Sequence, residues 1–115
     1  MATGTIQIES SQETSWTALS GTGLSFRKIG NGLVEWSSAG YNAATTANTV
    51  FTFSKLIPVG YRPSIQQQGI VCLYGSSGYL TGSSTTINFA TNGTITLAGC
   101  NVAGIGVAGM GVYRL

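Results

Sequence analysis

Short apolar or β-branched runs alternate along the chain with turns built from Gly, Asn and Ser. This spacing is typical of an antiparallel β-sandwich or jelly roll. No segment shows the apolar periodicity of an amphipathic helix. We therefore predict an all-β, jelly-roll-like sandwich over residues 15–115, preceded by a polar tail or linker over residues 1–14. The predicted strands cover residues 23–29, 33–38, 49–55, 68–75, 85–90, 94–98 and 110–115.

The clearest local signal is a hairpin around Asn31-Gly32, the preferred pair for a two-residue type I′ turn. This turn predicts three opposed pairs: Ile29 with Val34, Lys28 with Glu35, and Arg27 with Trp36. The second pair would be an ion pair, and the third would set a cation over an indole ring. Both faces of this hairpin would carry large apolar groups, so we expect both faces to be covered.

A second hairpin is predicted at Asn92-Gly93, with Phe89 opposite Thr96 and Ala90 opposite Ile95. Asn92 also begins a glycosylation sequon, but the turn alone accounts for Asn and Gly at these positions. Between the hairpins, the segment 56–64 contains both prolines and is expected to be an ordered, extended connection.

The stretch 104–109 matches GxGxxG, the dinucleotide-binding pattern. Only six residues follow it, none of them acidic, so the required helix and acidic partner are missing. A Gly-rich strand with close backbone approach is the better interpretation. Cys72 and Cys100 have no CxxC spacing, which leaves a disulfide or two buried free thiols, and we favour the thiols.

Charge is scarce: the chain has five Lys or Arg, three Asp or Glu, and no His. Triads that need His, His-ligated metals and paired carboxylates are therefore excluded or disfavoured, and we predict no enzyme activity, metal or cofactor. A net charge of +2 also argues against nucleic-acid binding. Such low charge is easier to explain if much of the outer face is buried against other copies of the chain. We find no signal peptide and no membrane-spanning segment, and expect no membrane insertion.

Aromatic side chains are left as the candidates for recognition. Tyr41, Tyr74 and Tyr79 lie in or beside small polar loops, where a ring can stack on a sugar. Asn42 and Arg62 are the candidate polar contacts. The alternative is that these are ordinary loop tyrosines. The aromatic residues inside strand patterns are expected in the core or an interface: Trp16, Phe26, Trp36, Phe51, Phe53 and Phe89.

Two stretches resemble the C-terminal head domains of tailed-bacteriophage baseplate and tail-fibre proteins. Residues 24–36 (LSFRKIGNGLVEW) are similar to a hairpin of that family with the pattern x-x-R-K-x-G-x-x-V. Residues 53–63 (FSKLIPVGYRP) are similar to its L-P-x-G-Y-R-P connection. The approach at Trp16 and the closing residues 112–115 also fit, so the resemblance covers about residues 15–115.

The resemblance implies a homotrimeric head in the virion, at a phage tail tip or baseplate, acting at the bacterial surface. Its expected function is non-catalytic adhesion to host cell-wall saccharide. The alternative is a structural or adaptor trimer that docks other baseplate or tail proteins. The matching motifs belong to the scaffold, so the resemblance transfers no sugar-binding residue.

Overall fold

The computed structural model describes residues 15–40 and 42–115, with the backbone alone for residues 79–82. The expected tail, residues 1–14, lies outside the described residues. The prediction of an all-β, antiparallel fold is confirmed, and no helix occurs among the described residues. The eight strands are β1 (Thr17–Leu19), β2 (Leu24–Gly30), β3 (Leu33–Ser38), β4 (Phe51–Thr52), β5 (Gln67–Gly75), β6 (Gly78–Phe89), β7 (Ile95–Leu97) and β8 (Gly106–Arg114).

All eight strands form a single sheet in the order β1-β2-β3-β8-β5-β6-β7-β4. The last strand, β8, occupies the middle and joins β3 on one side to β5 on the other. The sheet is strongly curled. The short distance between two rings shows this, since those of Phe26 on β2 and Phe89 on β6 lie 6.1 Å apart. Four strand spacings would separate these positions by about 19 Å in a flat sheet.

The inner side of the curl holds the hydrophobic core. Phe26, Trp36, Phe89 and Tyr113 make a continuous group of ring contacts there. Aliphatic residues of β5, β6, β7 and β8 surround these rings, and Phe53 and Ile57 from the connection between β4 and β5 close the group. The curled sheet therefore buries its own inner face without a second sheet in the described residues.

Glycines make room for the largest core side chain, Trp36. A Cβ at Gly69 on β5 would lie 2.5 Å from Cζ2 of Trp36, and one at Gly111 on β8 would lie 2.9 Å from Nε1. The indole therefore lies against bare backbone. The Gly-rich stretch is a strand, as predicted, although β8 begins at Gly106, earlier than the expected residue 110.

The first hairpin has the predicted turn but not the predicted register. Asn31 and Gly32 have φ values of 56° and 73°, as a type I′ turn requires. A bulge at Ile29 then shifts β2 by one residue. Phe26 lies opposite Trp36, and Arg27 lies opposite Glu35. The predicted pairs of Lys28 with Glu35, Arg27 with Trp36 and Ile29 with Val34 are wrong.

The bulge has a clear physical consequence for the two faces. A one-residue shift moves every side chain of a strand to the other face. With the bulge, Phe26 and Trp36 both enter the core, whereas the straight register places them on opposite faces. Gly30, at φ 96°, supplies the backbone conformation that the irregularity needs.

The second hairpin differs from its prediction in the same way. Phe89 lies opposite Ile95, not Thr96, and the predicted pair of Ala90 with Ile95 is wrong. The turn is longer than two residues: the N–H of Gly93 donates to Ala90 O, and the N–H of Ala90 donates to Thr94 O. Only Gly93 has a positive φ, 93°, as in a type I turn followed by a bulge.

Two strand boundaries also need correction. The strand expected over 49–55 is reduced to Phe51–Thr52, with one further backbone hydrogen bond from the N–H of Phe53 to Ile95 O, where the Phe53 side chain enters the core. The strand expected over 85–90 begins earlier, at Gly78, so that Tyr74 and Tyr79 lie in strands directly beside the tight turn at Ser76-Ser77, in agreement with their expected position in or beside a polar loop. No described helix is long and apolar enough to cross a membrane.

Both cysteines are free, but the expectation that they are buried is wrong, since Cys72 is exposed and Cys100 is only half-buried. Cys72 pairs with Ser84 on β6, and the Cys100 thiol donates to Ser84 O from the other side. One strand therefore separates the two residues. Two strand spacings amount to about 10 Å, beyond the span of a disulfide.

Candidate functional site

The predicted binding residues divide between the two ends of the curled sheet. At one end, β5 turns into β6, and Tyr74 lies directly opposite Tyr79 in the backbone register. Asn42 reaches the same end through a hydrogen bond to Val107, which pairs with Leu73. We call the group of Asn42, Tyr74 and Tyr79, with the backbone of Gly106, the tyrosine end.

Asn42 is held by a closed set of hydrogen bonds. Its Nδ2 donates to Ser38 Oγ at 2.9 Å, and its Oδ1 accepts from the N–H of Val107 at 3.0 Å. Ser38 Oγ in turn donates to Val107 O at 3.2 Å and is buried. Because both ends of the amide bond the protein itself, Asn42 fixes the segment after β3 onto β8. Direct contact of Asn42 with a ligand stays a prediction.

Tyr74 is half-buried at this end. A Cβ added at Gly106 would lie 2.8 Å from Cζ of Tyr74, and it would also collide with Gly40 O. Gly106 therefore lets the ring and the segment after β3 approach the same point of β8. The glycine is explained within one chain, and no second subunit is needed to account for it.

The remaining tyrosine candidates are only partly described. Tyr41 lies outside the described residues, between Gly40 and Asn42, which both lie at the tyrosine end. For Tyr79 the backbone position opposite Tyr74 is described, but not the side chain. Of the five predicted residues, Asn42, Tyr74 and the backbone of Tyr79 come together.

Arg62 belongs to the opposite end of the sheet. Its Nε donates to Ile57 O at 2.7 Å, and a Cβ at Gly93 would lie 2.6 Å from that Nε. Arg62 thus packs over the turn between β6 and β7 and supports the connection before β5. The nine residues of β5 span about 27 Å, so Arg62 cannot share one sugar ring with Tyr74. Within one chain Arg62 therefore does not lie beside the tyrosines, and its role as a polar contact to a ligand stays a prediction.

The charged groups near β1 form a separate cluster on the outside of the sheet. Arg27 Nε lies 2.7 Å from Glu35 Oε1, and the Arg27 Cζ lies 4.8 Å from the centre of the Trp16 ring. Trp16 is 41 % exposed, so of its two expected positions, core or interface, the core is excluded and the interface stays a prediction. Glu35 is the single carboxylate side chain among the described residues, and it is held by Arg27. Those residues contain no group of three or more potential metal ligands.

Sequence reasoning missed an apolar surface on the outside of the sheet. Alternation along β5 and β8 buries Val71, Leu73 and Val107 and turns their neighbours outward. Ile70 is 73 % exposed, Met110 66 % and Val112 50 %. We call the outward residues Ile70, Cys72, Ala108, Met110 and Val112 the apolar stripe. The signal was present in residues 70–74 (IVCLY), where both alternating sets are apolar or aromatic.

Comparisons with known proteins add no family assignment. The chain matches no protein-family model, and a search of curated proteins finds no match either.

Proposed function

We propose that this protein is a non-catalytic head domain of a phage tail or baseplate, which adheres to carbohydrate on the bacterial surface through the tyrosine end. The phage context, the location in the virion, the homotrimer and the finer description as a jelly-roll-like sandwich come from the sequence resemblance. The fold is compatible with them, since it is all-β and antiparallel.

The observation that carries the binding proposal is the convergence of Tyr74 and the backbone of Tyr79 beside Asn42. Sugar sites combine an aromatic ring for the apolar face with neutral hydrogen-bonding groups for the hydroxyls. The amide of Asn42 anchors the segment that carries Tyr41, and its own contact with the ligand stays a prediction. Because these groups are neutral, binding should depend little on salt.

Catalysis is not part of the proposal. A glycosidase of the usual kind needs two carboxylates at a defined separation. Glu9 and Glu13 lie outside the described residues, and Glu35 is bonded to Arg27. Several weak binding sites on one assembly would instead supply overall affinity through multivalency.

A panel of purified bacterial wall polysaccharides, with the full chain and two variants, tests the proposal. Tyr74→Ala should lower affinity about tenfold, because it removes a stacking ring, while Tyr74→Phe should retain most of the binding. Melting curves show whether each variant is folded. Absence of binding by a folded wild-type chain, or equal binding by the Ala variant, would contradict the proposal.

A second candidate, the structural or adaptor module, is favoured by the apolar stripe. A broad apolar side surface suits protein docking better than sugar binding. The two functions differ in the surface they require. Substitutions in the stripe should abolish assembly if the module is structural, and substitutions at Tyr74 should then have no effect on any activity of the virion.

A further inference from the structure

The end of the sheet opposite the tyrosine end has a surplus of positive charge. It is formed by the turn between β2 and β3, the connection between β4 and β5, the turn between β6 and β7, and the end of β8. We call it the basic end, because four cationic residues lie there: Lys28, Lys55, Arg62 and Arg114. Glu35, the single carboxylate side chain among the described residues, bonds Arg27 on the outside of the sheet. The basic end is therefore suited to an acidic occupant.

The surface of this end is also apolar. Leu56 is 51 % exposed, Val59 82 % and Ile65 69 %. The N–H of Tyr61 donates to Pro58 O at 3.0 Å, so Val59 lies at the tip of an ordered turn. Exposed apolar side chains that gather on one part of a surface mark a site of interaction. An occupant of the basic end should therefore carry both apolar and acidic side chains.

Residues 1–14 of the chain have this composition. They contain Glu9 and Glu13 and no Lys or Arg. Ile6 and Ile8 are two positions apart, which places both side chains on one side of an extended chain. These residues are also tethered, and a segment on a short flexible link has an effective concentration of about millimolar at its own domain. An acidic segment of another protein would have to bind without this advantage.

The strand β1 shows from which direction this segment arrives. Thr17 pairs with Phe26 in an antiparallel register, so the residues before Thr17 run along β2 towards the basic end. Trp16 follows the same register, because its ring centre lies 4.8 Å from Cζ of Arg27, the next residue of β2. Beyond Trp16, the edge of β2 leads directly to Lys28 and the basic end.

The same register brings Glu13 close to Lys28. Two further pairs set Ser15 opposite Lys28, and the positions diagonal to Lys28 are then Thr17 and Glu13. Diagonal neighbours lie about 7–8 Å apart, within reach of long side chains. Thr17 and Lys28 share one side of the sheet, since Thr17 Oγ1 lies 3.2 Å from Oη of Tyr61 and Lys28 Nζ lies 5.1 Å from the centre of the same ring. A Glu13 carboxylate on this side can therefore reach the Lys28 ammonium group.

Beyond Glu13 the segment can reach the apolar part of the basic end. A Cβ at Gly60 would lie 3.7 Å from Lys28 Nζ, so the turn that carries Val59 borders this cation. Ile8 precedes Glu13 by five residues, which span up to about 17 Å when extended. The ion pair and the apolar contact can thus form at the same time.

From these features we infer that residues 6–13 of this chain dock on the basic end, where Glu13 bonds Lys28 and Ile8 packs on Val59. The docked segment covers apolar surface that the connection between β4 and β5 leaves exposed. It stays at the end opposite the tyrosine end, so it leaves the proposed sugar site open.

Spin labels at the two ends of the sheet test the inference by NMR. The full chain carries Cys72→Ser and Cys100→Ser. One label is attached at Ser64→Cys, beside the basic end, or at Ser77→Cys, beside the tyrosine end, and both serines are exposed. The Ser64 label should remove most of the amide peak intensity of residues 6–13 by paramagnetic broadening. The Ser77 label is the matched control and should leave this intensity unchanged.

Charge reversal tests the ion pair itself. Glu13→Lys should restore most of the intensity that the Ser64 label removes, because like charges would then face each other. Lys28→Glu should do the same with two facing carboxylates. The double variant, Glu13→Lys with Lys28→Glu, has opposite charges again, so its intensity should again be lost. Melting curves show whether each variant is folded.

Four outcomes would overturn the inference. The first is full intensity of residues 6–13 with the Ser64 label, and the second is equal loss with both labels. The third is a loss that Glu13→Lys leaves unchanged or that the double variant does not recover. The fourth is a loss in isotope-labelled chains that carry no spin label but are mixed with spin-labelled chains, which would identify the segment of a second copy as the occupant. None of these measurements uses carbohydrate, so they fail or succeed independently of the proposed function.

Discussion

The two sides of β5 and β8 show how differently one pair of strands can be used. Their inner side is packed within the chain: Val71, Leu73 and Val107 are at most 1 % exposed. Their outer side carries Ile70 and Met110, which are mostly exposed. The inner side therefore accounts for the folding of one chain. The outer side contributes less to that folding, because these side chains stay in contact with water.

Truncation of a core side chain should cause the largest change in the free energy of unfolding, and it tests the difference between the two sides. Phe89→Ala removes a ring that contacts Phe26, Trp36 and Tyr113, and should lower the free energy of unfolding by about 4 kcal/mol. Ile70→Ala on the same sheet should change it by less than about 0.5 kcal/mol in a dilute, monomeric sample. Urea unfolding measures both, and similar losses would remove the distinction between the two sides.

A smaller but sharper test concerns the space beside Trp36. Gly69→Ala forces a methyl group to within 2.5 Å of Cζ2 of the indole, and should cost about 2 kcal/mol through overpacking. Ser25→Ala, which changes an outward position on β2, is the control and should be nearly neutral. If Gly69→Ala has the same urea midpoint as the wild type, there is space between Trp36 and the backbone of Gly69 for a methyl group.

The hydroxyl of Tyr113 offers a test of about 1 kcal/mol. It donates to Tyr61 O at 2.6 Å, so Tyr113→Phe should lose about that amount of unfolding free energy. Burial raises the pKa of Tyr113 well above its usual value near 10. The folded chain thus holds this proton more tightly than the unfolded chain. The free energy of unfolding therefore keeps its full value below pH 10 and falls as the pH rises above 10. Unfolding curves at increasing alkaline pH should show a steeper loss for the wild type than for Tyr113→Phe, and equal slopes would contradict the assignment.

Breaking the ion pair on the outside of the sheet should change the free energy of unfolding least. Arg27 and Glu35 have side chains 28 % and 16 % exposed, so Arg27→Gln should cost about 0.5 kcal/mol, and less in high salt. Lys55→Gln, at an exposed position away from the sheet, is the control and should have no measurable effect. A loss of several kcal/mol for Arg27→Gln would mean that the outer side stabilises the single chain after all.

The limits of sequence reasoning are clearest in the two hairpins. Asn31-Gly32 and Asn92-Gly93 correctly located both turns, yet each register was off by one residue. In each hairpin an extra residue lies beside a glycine with positive φ, Gly30 or Gly93. The extra residue shifts the register so that aromatic residues lie on the inner face of the sheet. Such an irregularity depends on packing across the curled sheet, as between Phe26 and Phe89, which local turn preferences do not contain.

The candidate site could be predicted only in part, because some of its contacts join residues that lie far apart in the sequence. Tyr74 and Tyr79 flank a short polar stretch, so a turn between them would bring them together, and the register confirms that they are opposed. Asn42 joins them because Val107, 65 positions later, supplies the N–H that its side chain accepts. The separation of Arg62 from Tyr74 was not predictable in this way, since it is set by the length of β5 and not by sequence separation.

The central claim is that the inner side is sufficient for one chain to fold, while association through the outer side, as in the proposed homotrimer, stays a prediction. Urea unfolding of the full chain and of Met110→Glu, each over a hundredfold range of protein concentration, tests it most directly. The wild-type midpoint should rise with concentration, as expected for an assembly, while the Met110→Glu midpoint should stay constant at the value of the dilute wild type. A wild-type midpoint that does not change with concentration, or a Met110→Glu midpoint that lies far below it at every concentration, would contradict the account.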